Sequence, residues 1–498
     1  MYLIGYDIGS SSIKAALVKA DTGATVAVVQ RPQKEMAMQA PQTGWAEQDP
    51  EMWWQYVCEA TAALLEKSNI DKNDIRAIGI AYQMHGLVLV DENQEVLRPS
   101  IIWCDSRAVA IGDQAFQSLG GNYCLSHLLN SPGNFTASKL RWVQENEPEL
   151  YSRIHKIMLP GDYIAMRLTG EIFSTVSGLS EGIFWDFKTE TPSAKLLEYY
   201  AIDSVHLPEL RPTFSDQGKV TAAAATATGL PVGIPVTYRA GDQPNNALSL
   251  GVLQPGEVAG TGGTSGVIYG VVDRPLYDSA SRVNGFAHVN HTSEANRIGI
   301  LLCINGAGSQ YSWIHHQVAP EGIGYNDMEK LAAKVPVGSD GLSILPFGNG
   351  AERVLENLNL GAHLLHLEFN RHQQKHLFRA ALEGIAFAFV YGAKILEAMG
   401  LQLTKMRVGN DNLFQSAIFS ETIATLLNTR IEVVETTGAV GAARAAGVGV
   451  KFYASVEEAV GQLKVQQEFS AQQEAAPYQE AYDRWHDDLQ SAISRAKH

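Results

Sequence analysis

Cysteine is scarce in this chain. Its four copies in 498 residues, Cys58, Cys104, Cys124 and Cys303, stand far apart with no C-x-x-C spacing. That excludes the usual zinc site and offers no disulfide framework. Runs of lysine or arginine are also absent, and 38 Lys plus Arg against 53 Asp plus Glu leave a net charge of −15. A nucleic-acid binder would carry a basic face, so no nucleic-acid partner is expected. An anionic ligand would need local donors rather than a basic field. No apolar stretch reaches the ~18 residues of a spanning helix. Met1-Tyr2-Leu3 runs into the first strand without the basic and apolar regions of a signal peptide. The expectation is a soluble, cytoplasmic protein with no membrane partner. What the chain has in quantity is hydrophobic residues, 45% against 18% charged. That allows large cores, and the length suggests two or three domains of ~100–200 residues.

The segment "LIGYDIGSSSIKAALVKADTG" (3–23) brings Asp7 to the end of an apolar strand, then gives Gly9 and three serines, Ser10, Ser11 and Ser12. A common phosphate loop opens a helix. Here Ile13–Lys19 resumes as a strand, Asp21-Thr22-Gly23 turns, and Ala24–Gln30 forms a third strand. The opening is a β-meander whose first turn would cradle phosphate with backbone amides rather than a helix dipole. A second version follows. "YRAGDQPNNALSLGV" (238–252) sets Asp242 after a glycine and leads into a small-residue helix, and "GEVAGTGGTSGVIYGVV" (256–272) is strand, small-hydroxyl turn, strand. Either unit alone reads equally well as an ordinary hairpin. The pair, each beside an aspartate, points to phosphate held between two related domains, divided near 250–255 where Pro255-Gly256 interrupts. Phosphoryl transfer asks for positioning, charge neutralisation and a carboxylate to take the attacking hydroxyl's proton. Asp7 and Asp242 stand where strands give way to turns.

Periodicity predicts a helix over Trp53–Lys67, a strand over Ala77–Ala81, a turn at Gln83-Met84-His85-Gly86 and a strand over Leu87–Val90. Helices follow near 106–118, 137–145 and Gln310–Gln317. A long helix spans 371–399, with Asn370 as N-cap and Gly400 just past its end. Strand 405–410, helix Leu413–Leu427, strand 430–435 and a small-residue helix at 438–449 come next. The tail helix aligns Tyr478, Tyr482, Trp485 and Leu489. By residue type alone, Met84, His85, Trp45 and Trp103 read as core. Asp105 and Arg107 read either as a surface pair or as part of a cleft. His363, His366, His372 and His376 read as a solvated helix start, since no carboxylate–histidine set completes a metal site. The 438–449 run reads as close helix packing, with Gly438 able to approach a nucleotide.

At these motifs the chain resembles the FGGY carbohydrate kinases, over about residues 1–490, and within them the xylulokinases. "YDIGSSSIKAAL" is similar to the family's first phosphate hairpin and "GGTSG" (262–266) to its second. "GWAEQDPEMWW" (44–54) resembles its W-x-E-Q-x-P-x-x-W-W segment, "QMHG" (83–86) the xylulokinase sugar-binding turn, and "RPSIIWCDSRA" (98–108) its W-x-D-x-R stretch. "LPFGNGAERVL", "RAALEGIAFAF" and "TGAVGAARAAG" resemble later signatures. The resemblance implies an α/β, two-domain actin-like (ribonuclease H-like) ATPase fold with phosphate-binding β-hairpins. It implies a sugar-binding domain at 1–252, a nucleotide-binding domain at 253–498, and ATP and Mg2+ in the cleft. The implied reaction is ATP-dependent phosphorylation of a small sugar, D-xylulose to D-xylulose 5-phosphate.

The resemblance also implies roles. Asp242 is the general base, expected to be ionised near the reference pKa of about 3.9. Gln83, Met84, His85, Asp242 and Gln243 hold the sugar. Ser10, Ser11, Ser12, Gly263, Thr264, Gly308, Gly409 and Asn410 hold the nucleotide, and Asp7 the metal. The pattern departs in three places: Gln243 follows the base where the family has asparagine, Cys104 precedes Asp105 where it has asparagine, and Gly409-Asn410-Asp411-Asn412 replaces a G-G-G-A turn. Asparagine and aspartate tolerate left-handed backbone angles, so such a turn can survive. Two other readings stand beside this one: a family kinase for ribulose or gluconate, or a non-catalytic sugar-sensing protein on the same fold. Retention of Asp7, Asp242 and both hydroxyl turns favours the kinase. Oligomeric state is open, a homodimer included.

Overall fold

The computed structural model describes residues 1–410 and 412–497; Asp411, in the loop that replaces the G-G-G-A turn, lies outside the described residues. Two sheets organise the chain. The first contains β1 (Tyr2–Ile8), β2 (Ile13–Lys19), β3 (Thr25–Arg31), β4 (Ile75–Tyr82) and β5 (Val236–Gly241), in the order β5-β4-β1-β2-β3. The β1-β2-β3 meander is antiparallel, while β4 runs parallel to both β1 and β5. The second contains β6 (Glu257–Gly262), β7 (Gly266–Val272), β8 (Asn284–Ala287), β9 (Ile298–Ile304), β10 (Lys405–Gly409), β11 (Ile431–Val434) and β12 (Val465–Phe469). Their order is β8-β9-β7-β6-β10-β11-β12. The two sheets share a plan: a hairpin whose first strand has a parallel neighbour on its other side, then a second parallel strand. Strands β1, β4 and β5 are buried along almost their whole length because helices cover both faces.

Nine helices carry the argument: α1 (Pro50–Ser68), α2 (Thr136–Asn146), α3 (Val176–Glu181), α4 (Asp242–Ser249), α5 (Ala307–Gln317), α6 (Gln374–Met399), α7 (Ala417–Leu426), α8 (Gly438–Gly449) and α9 (Ala476–Ala496). Helices α4 and α8 follow the equivalent strands β5 and β11, and they pack on each other. Helix α8 leaves the second sheet to cover β1, β4 and β5 of the first. Its small residues make this possible. A Cβ at Gly5 would lie 1.9 Å from the Ala439 carbonyl, one at Gly79 2.0 Å from that of Ala442, and one at Gly441 1.7 Å from Ser249 Oγ. The Ala/Gly run is therefore close packing, as its composition suggested. Asn245 Nδ2 donates to the Gly438 carbonyl (3.0 Å) and Asn246 Nδ2 to Thr261 Oγ1 (3.1 Å), so α4 joins both sheets.

Several boundaries move for identifiable reasons. Helix α1 begins at Pro50, not Trp53, because Asp49 Oδ1 accepts from the Glu51 amide at 2.9 Å and proline is preset for the first turn. Helix α6 begins at Gln374 with Gln373 as N-cap in place of Asn370, because His376 Nδ1 turns back to accept from the Gln373 amide (2.9 Å). Helix α7 starts at Ala417 after a short 3₁₀ turn. Ser416 Oγ caps it, and Glu329 accepts from Ser416 Oγ (2.8 Å) and the Ile418 amide (3.1 Å). The tail helix α9 buries Tyr482, Trp485 and Leu489, with Trp485 Nε1 donating to the Ile344 carbonyl at 2.9 Å. Among the described residues no helix is long and apolar enough to cross a membrane.

Candidate active site

The first turn, Gly9 to Ser12, is closed by the Gly9 amide donating to the Ser12 carbonyl at 3.1 Å. Gln48 steadies it from outside: its Nε2 donates to the Ser10 carbonyl (2.7 Å), while Trp53 Nε1 holds its Oε1 at 3.1 Å. Trp103 is not core. It is 52% exposed, and its Nε1 donates to Ser10 Oγ at 3.3 Å. The second turn, Gly263 to Ser265, is joined to the start of α5, where the Gly308 and Ser309 amides donate to the carbonyls of Gly263 (3.1 Å) and Thr264 (3.0 Å). A Cβ at Gly308 would lie 2.1 Å from that Gly263 oxygen. This contact draws α5 forward to Ala307, three residues before its predicted start. Among the described residues, the amides of Ser10, Ser11, Ser12, Gly263, Thr264 and Ser265 take no protein acceptor.

Two carboxylates meet where α4 and α8 begin. Asp7 is the next-to-last residue of β1, and a Cβ at Gly438 would fall 2.5 Å from its Oδ2. Asp242 opens α4. Burial, and next the charge of Asp7, push the Asp242 carboxyl up to about 7, against the pull of Gln243's backbone and side-chain amides. Burial also raises Asp7, with Lys14 opposing. The expectation of an Asp242 near the reference carboxylate value is thus corrected: burial and the neighbouring Asp7 hold its carboxyl well above that range. Among the described residues neither aspartate forms an ion pair.

The Gln83–Gly86 turn abuts this point. A Cβ at Gly241 would meet Met84 Cγ at 2.6 Å and Glu181 Oε2 at 3.2 Å, so Met84 and Glu181 both flank the residue preceding Asp242. Gln83 is buried, its amide donating to the Ile8 carbonyl at 2.8 Å and its Nε2 to Gln48 Oε1 at 3.4 Å. Met84 is buried and His85 keeps an exposed edge, with the ring nitrogen Nδ1 2.9 Å from the Glu181 carbonyl. Burial and then the Lys139 charge hold the His85 ring down to about 3. Asp105 is fully buried rather than a surface group. It accepts from the Ala46 amide (2.6 Å) and pairs with Arg107 (2.7 Å), which also pairs with Glu47 (2.7 Å) and lies over Trp45. The W-x-E-Q and W-x-D-x-R stretches are therefore one buried brace behind the turns.

A cleft of about 620 Å³ opens beside the second turn, lined by Gly263, Thr264, Gly308, Tyr311, Leu413 and Ser416 among others. Gly409 and Asn410 are not among its lining residues. Gly409 ends β10, and the Asn410 amide donates to the Val434 carbonyl at 3.0 Å. The structure thus gathers Asp7, Gln83, Met84, His85 and Asp242 at one place, with Gln243 beside Asp242, and Gly263, Thr264 and Gly308 at another.

A model of the FGGY family of carbohydrate kinases, N-terminal domain, matches residues 2–249. The chain belongs to the FGGY family of carbohydrate kinases. It is 29% identical to the xylulose kinase of Bacillus subtilis (strain 168), covering 93% of this chain and 91% of that protein. It is 29% identical to the xylulose kinase of Escherichia coli (strain K12), covering 98% and 99%. The crystal structure of the xylulose kinase from Rhodospirillum rubrum superposes with a TM-score of 0.90 at 28% identity, covering the whole of both chains. The protein is accordingly a carbohydrate kinase that transfers phosphate from ATP to an alcohol group, on the actin-like two-domain fold.

The kinase's residues fit its cosubstrate. Turns with unengaged amides suit phosphate oxygens. The cleft beside the second turn mixes apolar walls (Leu382, Leu413, Tyr311) with hydroxyls, as a nucleoside requires. The donor set fits Mg2+ as well: two uncompensated carboxylates and no larger His/Cys/Asp/Glu cluster among the described residues match an ion that takes one or two carboxylates plus phosphate oxygens. Motif reading missed Glu181 and Lys139, both buried beside His85. Neither belongs to a quoted signature, and nothing in local periodicity separates them from core.

Proposed function

We propose that this kinase phosphorylates D-xylulose at its 5-hydroxyl, with Asp242 as general base. The observation that carries the reading is the packing of Met84 against Gly241, which puts the Gln83–Gly86 turn beside the aspartate. The curated relatives are named xylulose kinases, which supports the same substrate. In this account a ketose lies between His85 and Asp242 with Met84 against its carbon chain, and Gln243 orients a further hydroxyl. Deprotonated Asp242 takes the proton of the attacking hydroxyl as the oxygen closes on the γ-phosphorus. The serine turn and the Gly263–Thr264 turn hold the phosphates, with Gly308 packed beneath the second. Gly409 and Asn410 act at the adenine side by shaping the loop rather than by contact. Asp7 would hold Mg2+, which would supply neutralisation of the phosphate charge. The division of labour is a sugar half over 1–252 and a nucleotide half over 253–498, with α8 as the return contact. The test is sugar-dependent ADP formation with D-xylulose and identification of the product by proton–phosphorus coupling. A phosphate on carbon 5 is expected; no sugar-stimulated ADP, or a phosphate elsewhere, would contradict the reading.

A further inference from the structure

His85 has a φ of 62°, in the left-handed region that few residues other than glycine occupy. The contacts that hold it come mainly from two buried ionisable residues outside the turn. Its backbone N–H donates to Glu181 Oε2 at 3.2 Å, and its carbonyl accepts from Lys139 Nζ at 2.9 Å. Its Nδ1 is 2.9 Å from the Glu181 carbonyl oxygen. The ring is boxed by Phe135 at 4.7 Å and, from the second half of the chain, Phe286 at 5.5 Å. Lys139 is 0% exposed, and its other bond is to the carbonyl of Ile102 at 3.0 Å, one residue before Trp103. Among the described residues it has no salt-bridge partner. A buried ammonium is expensive, and here both its acceptors are carbonyls of loops that border the site. Glu181 is 1% exposed, with the Tyr82 hydroxyl beside its carboxyl.

We propose that Lys139 and Glu181 are positioning residues that hold His85 in its left-handed backbone and in one ring tautomer, leaving Nε2 as a pure hydrogen-bond acceptor for a sugar hydroxyl. The proposal rests on the reading of 83–86 as the sugar turn. A carbonyl oxygen only accepts, so the proton of the neutral ring sits on Nδ1 and Nε2 keeps its lone pair. Burial keeps the ring neutral through the working pH range. A lone pair at that point accepts a hydroxyl and rejects a carbonyl or ether oxygen. The sugar atom it meets is therefore a hydroxyl, and the ketose carbonyl must lie elsewhere in the site.

The experiment compares Lys139→Met, Glu181→Ala, Glu181→Gln and His85→Ala in the full chain. Met fills the lysine's volume without a charge to bury, so the fold is expected to stand. Lys139→Met is expected to raise the sugar KM by about tenfold or more, a loss of the size of one or two misplaced hydrogen bonds, and to leave the ATP KM within about twofold. Glu181→Ala should do the same, and Glu181→Gln, which can still accept the His85 N–H, should do less. In ¹⁵N-histidine-labelled protein, the resonances that vanish in His85→Ala should show an unprotonated Nε2 in the parent and mixed tautomers in Lys139→Met. Should Lys139→Met not fold, the ranking of the two Glu181 variants decides. An unchanged sugar KM in Lys139→Met and Glu181→Ala, with His85→Ala impaired, would overturn the clamp alone. A protonated Nε2 in the parent would overturn the tautomer. An unimpaired His85→Ala would overturn the sugar-turn reading beneath both.

Discussion

Gly438 and Asp7 come from opposite ends of the chain, yet a Cβ on the glycine would lie 2.5 Å from the carboxylate oxygen Oδ2. The first residue of α8 is thus held against the end of β1, with Asn245 Nδ2 fastening the Gly438 carbonyl at 3.0 Å. Gly438→Ala is expected to displace the Asp7 carboxylate while α8 stays packed. Turnover should fall by about tenfold or more, since small displacements at a reacting centre are costly. Melting temperature and Mg2+ dependence measured together check this. A variant with normal Mg2+ dependence would place Asp7 outside the metal's reach.

The raised pKa of Asp242 has a sign that can be tested in rate. A base works only when deprotonated, so kcat/KM should climb about tenfold per pH unit below the midpoint and level off above it, with a midpoint of about 7. A flat profile between pH 5.5 and 8 would remove Asp242 as the titrating base.

The same shift has a sign in stability. The folded-state pKa lies above the unfolded value of about 3.9, so the folded protein binds the extra proton. The stability this gives is complete below that value and is lost as pH rises through about 7. Asp242→Asn removes the titration. Its melting temperature should therefore exceed the parent's by more at pH 8 than at pH 5. Its turnover should fall about 10²–10⁴-fold with sugar binding retained. An equal melting gap at both pH values would mean that the carboxyl is not buried as described.

Much of this was legible in the chain, and the limits are instructive. The two hairpins were readable because alternation, a glycine–hydroxyl turn and a following strand are all local. The small residues of 438–449 announced close packing, but not that the partner is the sheet formed by residues 2–241, since burial against a distant sheet leaves no local period. Helix starts slipped at Pro50, Ala307 and Gln374, where a cap or a neighbouring turn supplied what periodicity does not encode. The carboxyl shift of Asp242 and the clamp on His85 arise from residues 54 to 235 positions away, so no motif window contains them. Trp103 misled for the opposite reason: a large apolar side chain was read as core, though its indole N–H has a partner at the rim.

Gly308 separates the nucleotide side from the sugar side. Its Cβ would meet the Gly263 carbonyl at 2.1 Å, a backbone atom that cannot swing away. Gly308→Ala should lift the second turn off α5, raising the ATP KM by about tenfold or more while the sugar KM stays within about twofold. Initial-rate kinetics with each substrate varied in turn checks this. An unaltered ATP KM in a folded variant would take this turn out of the nucleotide site.

The central claim is that the turn beside Asp242 selects a small ketose. The most direct measurement is kcat/KM for D-xylulose, L-xylulose, ribulose and gluconate under one set of conditions. A site that recognises its ligand through a few directed hydrogen bonds discriminates strongly among such stereoisomers and acids. D-xylulose is predicted to rank first. If ribulose, gluconate or L-xylulose ranks above it, the kinase assignment stands and the substrate reading is contradicted, with Gln243, one methylene longer than the family's asparagine, as the first residue to examine.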